Sequence, residues 1–237
     1  MKIRRVVTTR AGGRSKPPYD SFNLGGVGDA PEAIAANRHR LADELGLGRD
    51  RLVWMEQVHG RNAEIVDGPR TEAVEATDAI VTTEPNLALV ALCADCVPVL
   101  LADPEAGVVG AAHAGRVGAR VGVVPAALDA MKRAGAAIER IEVLLGPSAC
   151  GECYEVPAAM QADVDKHLPD SACKTRKGTP GLDIRAGLWR QLADAGVAKI
   201  GLDPRCTVED KTLFSHRREG TTGRLAALTW LDPSDPA

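Results

Sequence analysis

Cys93, Asp95 and Cys96 lie in a polar break, Cys93-Ala94-Asp95-Cys96, between two apolar runs at residues 87–92 and 97–101. A third apolar run, residues 107–112, ends on His113. Further upstream, residues 51–58 read as a strand that delivers Glu56, Gln57 and His59 before Gly60 turns the chain. A buried core has no need of a thiol, a carboxylate and imidazoles at the ends of such runs, whereas strand ends on a rigid sheet commonly carry reactive groups. Two imidazoles and one thiolate, His59, His113 and Cys96, match the three-ligand pattern of catalytic zinc, in which the fourth position is left to water or substrate. Asp95 reads either as a turn residue or as a group that orients a ligand histidine or serves as general acid or base. Cys/His/Asp sets also support nucleophilic catalysis, with Cys96 as nucleophile, and a single histidine after a strand commonly serves packing. Spacing alone leaves these alternatives open.

Positioning such groups requires a sheet. The apolar runs just named are strand candidates, as are residues 3–9, 62–66, 141–145, 199–202 and 226–231. Helical patterns cover about residues 31–45, with Asp29 as cap, Pro31 in the first turn and Gly46 as stop. In that helix residues 37–40 are expected partly outward. Further helical patterns cover residues 117–134, where Pro125 forces a kink or a late start, residues 157–168 and residues 183–195. Residues 171–181 read as a polar loop, and residues 11–29, rich in Gly, Pro, Ser and Asn, as a long loop of the kind that often carries function. The closing DPSDPA is expected to fray. With no repeat and no linker, the chain is expected to form one mixed α/β (α+β) domain over residues 1–237, with β-sheets in the middle flanked by helices.

The 237 residues are 45% hydrophobic but only 3% aromatic, so the core must be aliphatic. The net charge of −3 gives no basic excess for a nucleic-acid backbone. No apolar run is long enough to span a bilayer, and MKIRRVVTTR lacks the apolar core of a signal peptide. A cytoplasmic protein with reduced thiols is expected, binding neither nucleic acid nor membrane. Four of the six cysteines form two C-x-x-C pairs, Cys93/Cys96 and Cys150/Cys153, too far apart for a zinc ribbon. Cys93 is expected in the core and Cys96 in a pocket, because residues three apart in an extended chain face opposite sides. Cys150 and Cys153 are expected to hold no second metal. Of the other histidines, His39 and His167 read as solvated and His216 as part of a cationic loop. Arg38, Arg217, Arg218 and Arg224 are candidate anion clamps, and residues 215–224 a candidate phosphate cradle.

The motifs SFNLGG (21–26), NRHRL (37–41), QVHG (57–60), ADCVPVLL (94–101), HAG (113–115), GPSACGECYEV (146–156), CT (206–207) and SHRREGTTGR (215–224) together resemble the YfiH-like laccase-domain family. They occur in the family's order and span nearly the whole chain. The resemblance implies a YfiH-like, cysteine-hydrolase-like fold, zinc ligands at His59, Cys96 and His113, and pocket positions at Asp95, Gln57, Asn23, Arg38 and Arg217. Its members carry three labels: purine nucleoside phosphorylase, multicopper polyphenol oxidase, and a cysteine hydrolase that edits peptidoglycan precursors. One segment departs from the pattern. The family usually continues HAG with Trp-Arg-Gly, whereas here Arg116, Val117 and Gly118 follow, so the aromatic is absent and the arginine has moved by one place.

The first function this implies is zinc-dependent phosphorolysis of purine nucleosides (adenosine, inosine or methylthioadenosine) with phosphate as co-substrate. The same open zinc position, holding hydroxide, would also support deamination of adenosine. The second is laccase-like oxidation with copper, whose blue centres also use two His and one Cys. Five histidines with no H-x-H pair are too few for an oxygen-reducing copper cluster. The third is metal-free hydrolysis by Cys96 with a histidine base, and the fourth a non-catalytic binding module. A monomer or homodimer is expected in every case.

Overall fold

A computed structural model describes residues 1–26 and 28–233. In chain order the elements are β1 (Lys2–Val7), α1 (Pro31–Leu45), β2 (Leu52–Val53), β3 (Ala63–Ile65), β4 (Ala79–Thr82), β5 (Ala88–Cys93), β6 (Val97–Asp103) and β7 (Val108–Ala114). They continue with α2 (Arg116–Val121), α3 (Val123–Arg133), β8 (Glu142–Leu145), α4 (Ala158–His167), β9 (Ala172–Lys174), β10 (Pro180–Leu182), α5 (Ile184–Asp194), β11 (Lys199–Leu202), α6 (His216–Glu219) and β12 (Leu225–Asp232).

Two mixed sheets stack in the middle. One has strand order β1-β12-β5-β2 and the other β11-β8-β6-β7-β4-β3. Alternation along the strands divides their side chains between two cores. On β5, Leu89 and Ala91 point between the sheets, where they meet Leu100, Val109, Ala111 and Ala227. Ala88 and Val90 point outward to pack with Leu41 and Ala42 of α1. On β6, Val97, Val99 and Leu101 face the opposite way and pack with Val124, Leu128 and Met131 of α3 and with Leu188 of α5. The central strands are thus covered on both faces, which is why they read as continuous apolar runs and not as alternating ones. Among the described residues no helix is long and apolar enough to cross a membrane.

Several local expectations need correction. The strand expected over residues 51–58 shrinks to Leu52–Val53, because residues 49–51 form a 3₁₀ turn and the chain beyond Met55 leaves the sheet. The helix expected over residues 117–134 is broken at Gly122, whose φ of 93° no helix tolerates, and Pro125 falls in the first turn of α3, where its missing N–H costs nothing. Residues 171–181, expected as a polar loop, instead contribute most of the hairpin of β9 and β10. Ala30, not Asp29, occupies the cap of α1. The Asp29 carboxylate instead accepts from the Ala30 N–H and from the Asn23 amide. Asn37, placed outward with its neighbours, is buried and donates to Ser15 Oγ and to the carbonyls of Ser21 and Asn23, so it ties the long loop to α1. Of the tail expected to fray, residues 234–237 lie outside the described residues.

Candidate metal centre

The polar break at residues 93–96 is the point where the chain passes from one sheet to the other, β5 belonging to the first and β6 to the second. The crossing turns on Asp95, whose φ of 94° lies in the left-handed region, and it leaves Cys96 at the start of β6. β6 and β7 pair antiparallel with Pro98 opposite His113, which brings His113 beside Cys96. β4 and β7 pair with Ala79 opposite Ala112, so Asp78 falls opposite His113. The His113 N–H accordingly donates to the Asp78 carbonyl at 2.7 Å.

Asp78 was not singled out from the sequence, yet it builds the site. Its carboxylate is fully buried and accepts from the backbone N–H groups of Val58 (3.2 Å), His59 (3.1 Å) and Gly60 (2.6 Å). It also accepts from His113 Nδ1–H at 2.9 Å. One carboxylate therefore fixes the loop that carries His59, itself at φ 59°, and sets the tautomer of His113 so that Nε2 points away from it. The orienting role considered for Asp95 belongs to Asp78. Asp95 Oδ1 instead accepts from the Thr207 hydroxyl and Oδ2 from the Arg217 N–H, both at 2.6 Å. A sequence signal was present: a carboxylate immediately before the buried strand 79–82 needs a partner of its own.

The ligating atoms of His59, Cys96 and His113 all lie within 4.8 Å of one another. Cys96 Sγ stands 3.9 Å from His59 Nε2, and the two imidazole rings meet edge to face at 4.7 Å between centroids. Gly115 makes the cluster possible, since a Cβ there would stand 2.8 Å from His59 Cδ2 and 2.9 Å from Cys96 Sγ. Burial by itself would push the Cys96 thiol up, but hydrogen bonds and charge from His113 and His59 outweigh it and hold the thiol at about 6. Burial pushes His113 down, but Asp78 and Cys96 outweigh it and raise the imidazole to about 9. The contact therefore favours a charged thiolate beside a charged imidazole. Cys93, in contrast, is buried among apolar groups and its thiol is pushed well above the ordinary range.

Cys96 forms part of the wall of two pockets. One, of ≈ 400 Å³, is lined by Asp95, Cys96, Arg116, Tyr154, His216 and Arg217. The other, of ≈ 670 Å³, is lined by Arg38, Gln57, His59, Cys96, His113 and Arg224, among others. The Arg217 guanidinium lies over the Tyr154 ring at 4.9 Å, and that of Arg38 over Trp54 at 3.9 Å. The displaced arginine of the HAGRVG segment, Arg116, thus still reaches a pocket, while Val117 is left exposed.

Other expected contacts are used internally. Asn23 is fully buried, its amide oxygen accepting from Arg224 N–H and Gly25 N–H. Gln57 clamps the backbone of Leu92 through both ends of its amide, 2.9 Å to the carbonyl and 2.7 Å from the N–H. Arg218 is no anion clamp, because its guanidinium donates to the carbonyls of Thr207, Val208, Asp210 and Leu213. The phosphate cradle expected over residues 215–224 does not form as an open nest, since the N–H groups of Arg217 and Arg218 already serve Asp95 and Ser215 Oγ.

Known proteins carry the same architecture. Residues 4–232 match the family described as multi-copper polyphenol oxidoreductase laccase. A protein of Mycobacterium tuberculosis named purine nucleoside phosphorylase is 57% identical over 98% of this chain and 93% of its own length. One of Corynebacterium glutamicum with the same name is 56% identical over 97% and 94%. The crystal structure of YlmD from Geobacillus stearothermophilus superposes with a TM-score of 0.91 at 35% identity, covering 97% of this chain and 92% of that one. YfiH from Bacillus licheniformis gives 0.90 at 31%, covering 97% and 93%. With the match running nearly end to end, the chain belongs to the multi-copper polyphenol oxidoreductase laccase family, the YfiH-like proteins.

Proposed function

We propose that the protein is a zinc-dependent purine nucleoside phosphorylase acting on adenosine, inosine or methylthioadenosine, with adenosine deamination as a second activity of the same site. The observation that carries this reading is the trio His59, Cys96 and His113, open on one side to pockets whose walls carry Arg38, Arg116 and Arg217. The donor set, two imidazoles and one thiol held down to about 6, suits zinc. A zinc ion held by these three residues would supply a Lewis acid with a vacant position for a substrate oxygen.

The remaining roles belong to the chain's own side chains. Arg217, stacked on Tyr154, and Arg116 offer guanidinium groups to phosphate, the nucleophile that attacks the sugar C1′ as the bond to the purine nitrogen breaks. Arg38, held over Trp54 with its Nε donating to the Leu24 carbonyl, closes the other pocket. Asp95 anchors Arg217 by its backbone, and with both carboxylate oxygens engaged it is read as a positioning group and not as the acid. Asn23 and Gln57 likewise position the walls. A multicopper reading has less support, because among the described residues the trio is the only metal-capable group that contains histidine.

The test is a steady-state assay of the zinc-loaded protein with adenosine or inosine plus phosphate. Free base and ribose 1-phosphate are expected, with loss on chelation. Absence of both products, and of inosine from adenosine, sinks the proposal. Turnover that resists chelation but not alkylation points to Cys96 as nucleophile.

A further inference from the structure

A second group of donors lies away from the trio. One ligating atom each from Cys150, Cys153, Cys206 and Glu209 falls within 4.8 Å of all the others. In sequence, the Cys150/Cys153 pair has only the distant Cys93/Cys96 as a second C-x-x-C. The tertiary structure supplies a different partner, the C-x-x-E unit of Cys206 and Glu209.

We propose that these four residues bind a second divalent ion of the zinc class, in a closed structural site. Donors about 2.3 Å from a tetrahedral zinc stand about 3.8 Å apart, so a spread of no more than 4.8 Å requires only a small contraction. Both halves have the form of a ligand-bearing turn. The Cys153 N–H donates to the Cys150 carbonyl at 3.0 Å, and the Glu209 N–H donates to the Cys206 carbonyl at 3.1 Å. The halves are locked together before any ion arrives, since Ser148 bridges to Cys206 and the Thr207 N–H donates to the Ser148 carbonyl.

Two contacts at the cluster suit an anionic ligand set. Three thiolates and a carboxylate around a dication leave a net negative charge. The Cys150 N–H points at Cys206 Sγ at 3.4 Å, a hydrogen bond that stabilises a thiolate. Arg176 holds Glu209 Oε1 at 2.6 Å and Glu152 at 2.8 Å, which orients the carboxylate and leaves its other oxygen for the ion. Arg218 pins the carbonyls of Thr207, Val208 and Asp210 in the same turn. A redox pair needs only two sulfurs; the third thiol and the oxygen donor at the same point are what a cation requires. On binding, the three thiol protons leave to solvent as the sulfurs coordinate.

The site would brace one wall of the pocket beside Cys96. Ala149 and Tyr154, on the Cys150/Cys153 loop, line that pocket, and Thr207, next to Cys206, holds Asp95.

The experiment is zinc analysis of protein purified under reducing conditions. Two ions per chain are expected in the wild type, one in Cys96→Ala and one in Cys153→Ser. Cobalt(II) added to metal-stripped Cys96→Ala protein is then expected to give strong thiolate charge-transfer absorption, lost in the Cys96→Ala/Cys153→Ser double variant. Because Cys96 is absent from both proteins, this measurement is independent of the trio and of the proposed reaction. A wild type holding one zinc, a Cys96→Ala variant holding none, and no cobalt band would overturn the proposal. So would a Cys150–Cys153 disulfide found by mass spectrometry in place of the ion.

Discussion

The two cysteine-containing donor groups are built on opposite plans. His59, Cys96 and His113 supply three donors at the seam between two sheets and face two pockets. Cys150, Cys153, Cys206 and Glu209 supply four donors from two loops, with Arg176 paired to Glu209 and Arg218 donating to the Thr207 carbonyl of the same turn. Three donors beside a cavity suit chemistry, and four donors without a vacancy suit architecture. The thiols differ to match. Cys96 is held at about 6 by two imidazoles, whereas burial and neighbouring thiols push Cys153 up to about 12. The lesson is that cysteine spacing alone does not sort reactive from structural sulfur; the neighbours that share the charge do.

The sharpest way to break this contrast is Cys96→Ala. It leaves two imidazoles without a thiolate, a weak zinc site, and turnover is expected to fall by more than the roughly 100-fold typical of removing an outer hydrogen-bond partner. Circular dichroism should show the fold retained on its aliphatic core. If phosphorolysis persists unchanged, the open site is not where the chemistry occurs.

Gly115→Ala ranks next. A methyl group 2.8 Å from His59 and 2.9 Å from Cys96 must displace one of them. A misplacement near 1 Å corresponds to roughly 10²-fold in rate. Zinc stoichiometry and kcat/KM on one preparation check this, and wild-type values would show that the trio tolerates a spread it is not built for.

Asp78→Asn tests whether the buried carboxylate sets the geometry. An amide keeps the shape but removes the charge and aims N–H hydrogens at existing N–H donors. Affinity for zinc is expected to drop about 10–100-fold in a competition titration with a chromophoric chelator. No change would move the orienting role elsewhere.

The smallest effect is one of pH in metal-stripped protein. The lowered Cys96 value contributes stability that is complete above the ordinary thiol range and is lost as pH falls through about 6. The raised His113 value contributes stability that is complete below the ordinary imidazole value and is lost as pH rises through about 9. Across the range from about 6 to about 9 the rise from Cys96 and the fall from His113 offset each other, so urea midpoints should change little there, whereas a variant lacking either group should show a slope. Iodoacetamide labelling of Cys96 should fall off below about 6, with Cys153 unreactive throughout. A labelling midpoint near the ordinary thiol value would mean that the imidazoles do not share the charge.

The sequence by itself determined the central strands, because β5, β6 and β7 are covered on both faces and only continuous apolar runs can satisfy two cores. It also singled out His59, Cys96 and His113, since polar groups interrupting or ending such runs are conspicuous against them. Helices with strong stop signals, such as Gly46 after α1, were equally legible. What only the tertiary structure decided were the pairings between distant segments. Strand register placed Asp78 opposite His113 and gave it the role that proximity in sequence suggested for Asp95. Internal hydrogen bonds that tie Asn23, Gln57 and Arg218 to distant backbone were likewise invisible in the sequence. The meeting of Cys150 and Cys153 with Cys206 and Glu209, across some fifty residues of chain, depended on a bridge between loops that no local spacing encodes. Periodicity reports which face of an element is buried; which partner it meets there is decided by the packing of the whole chain.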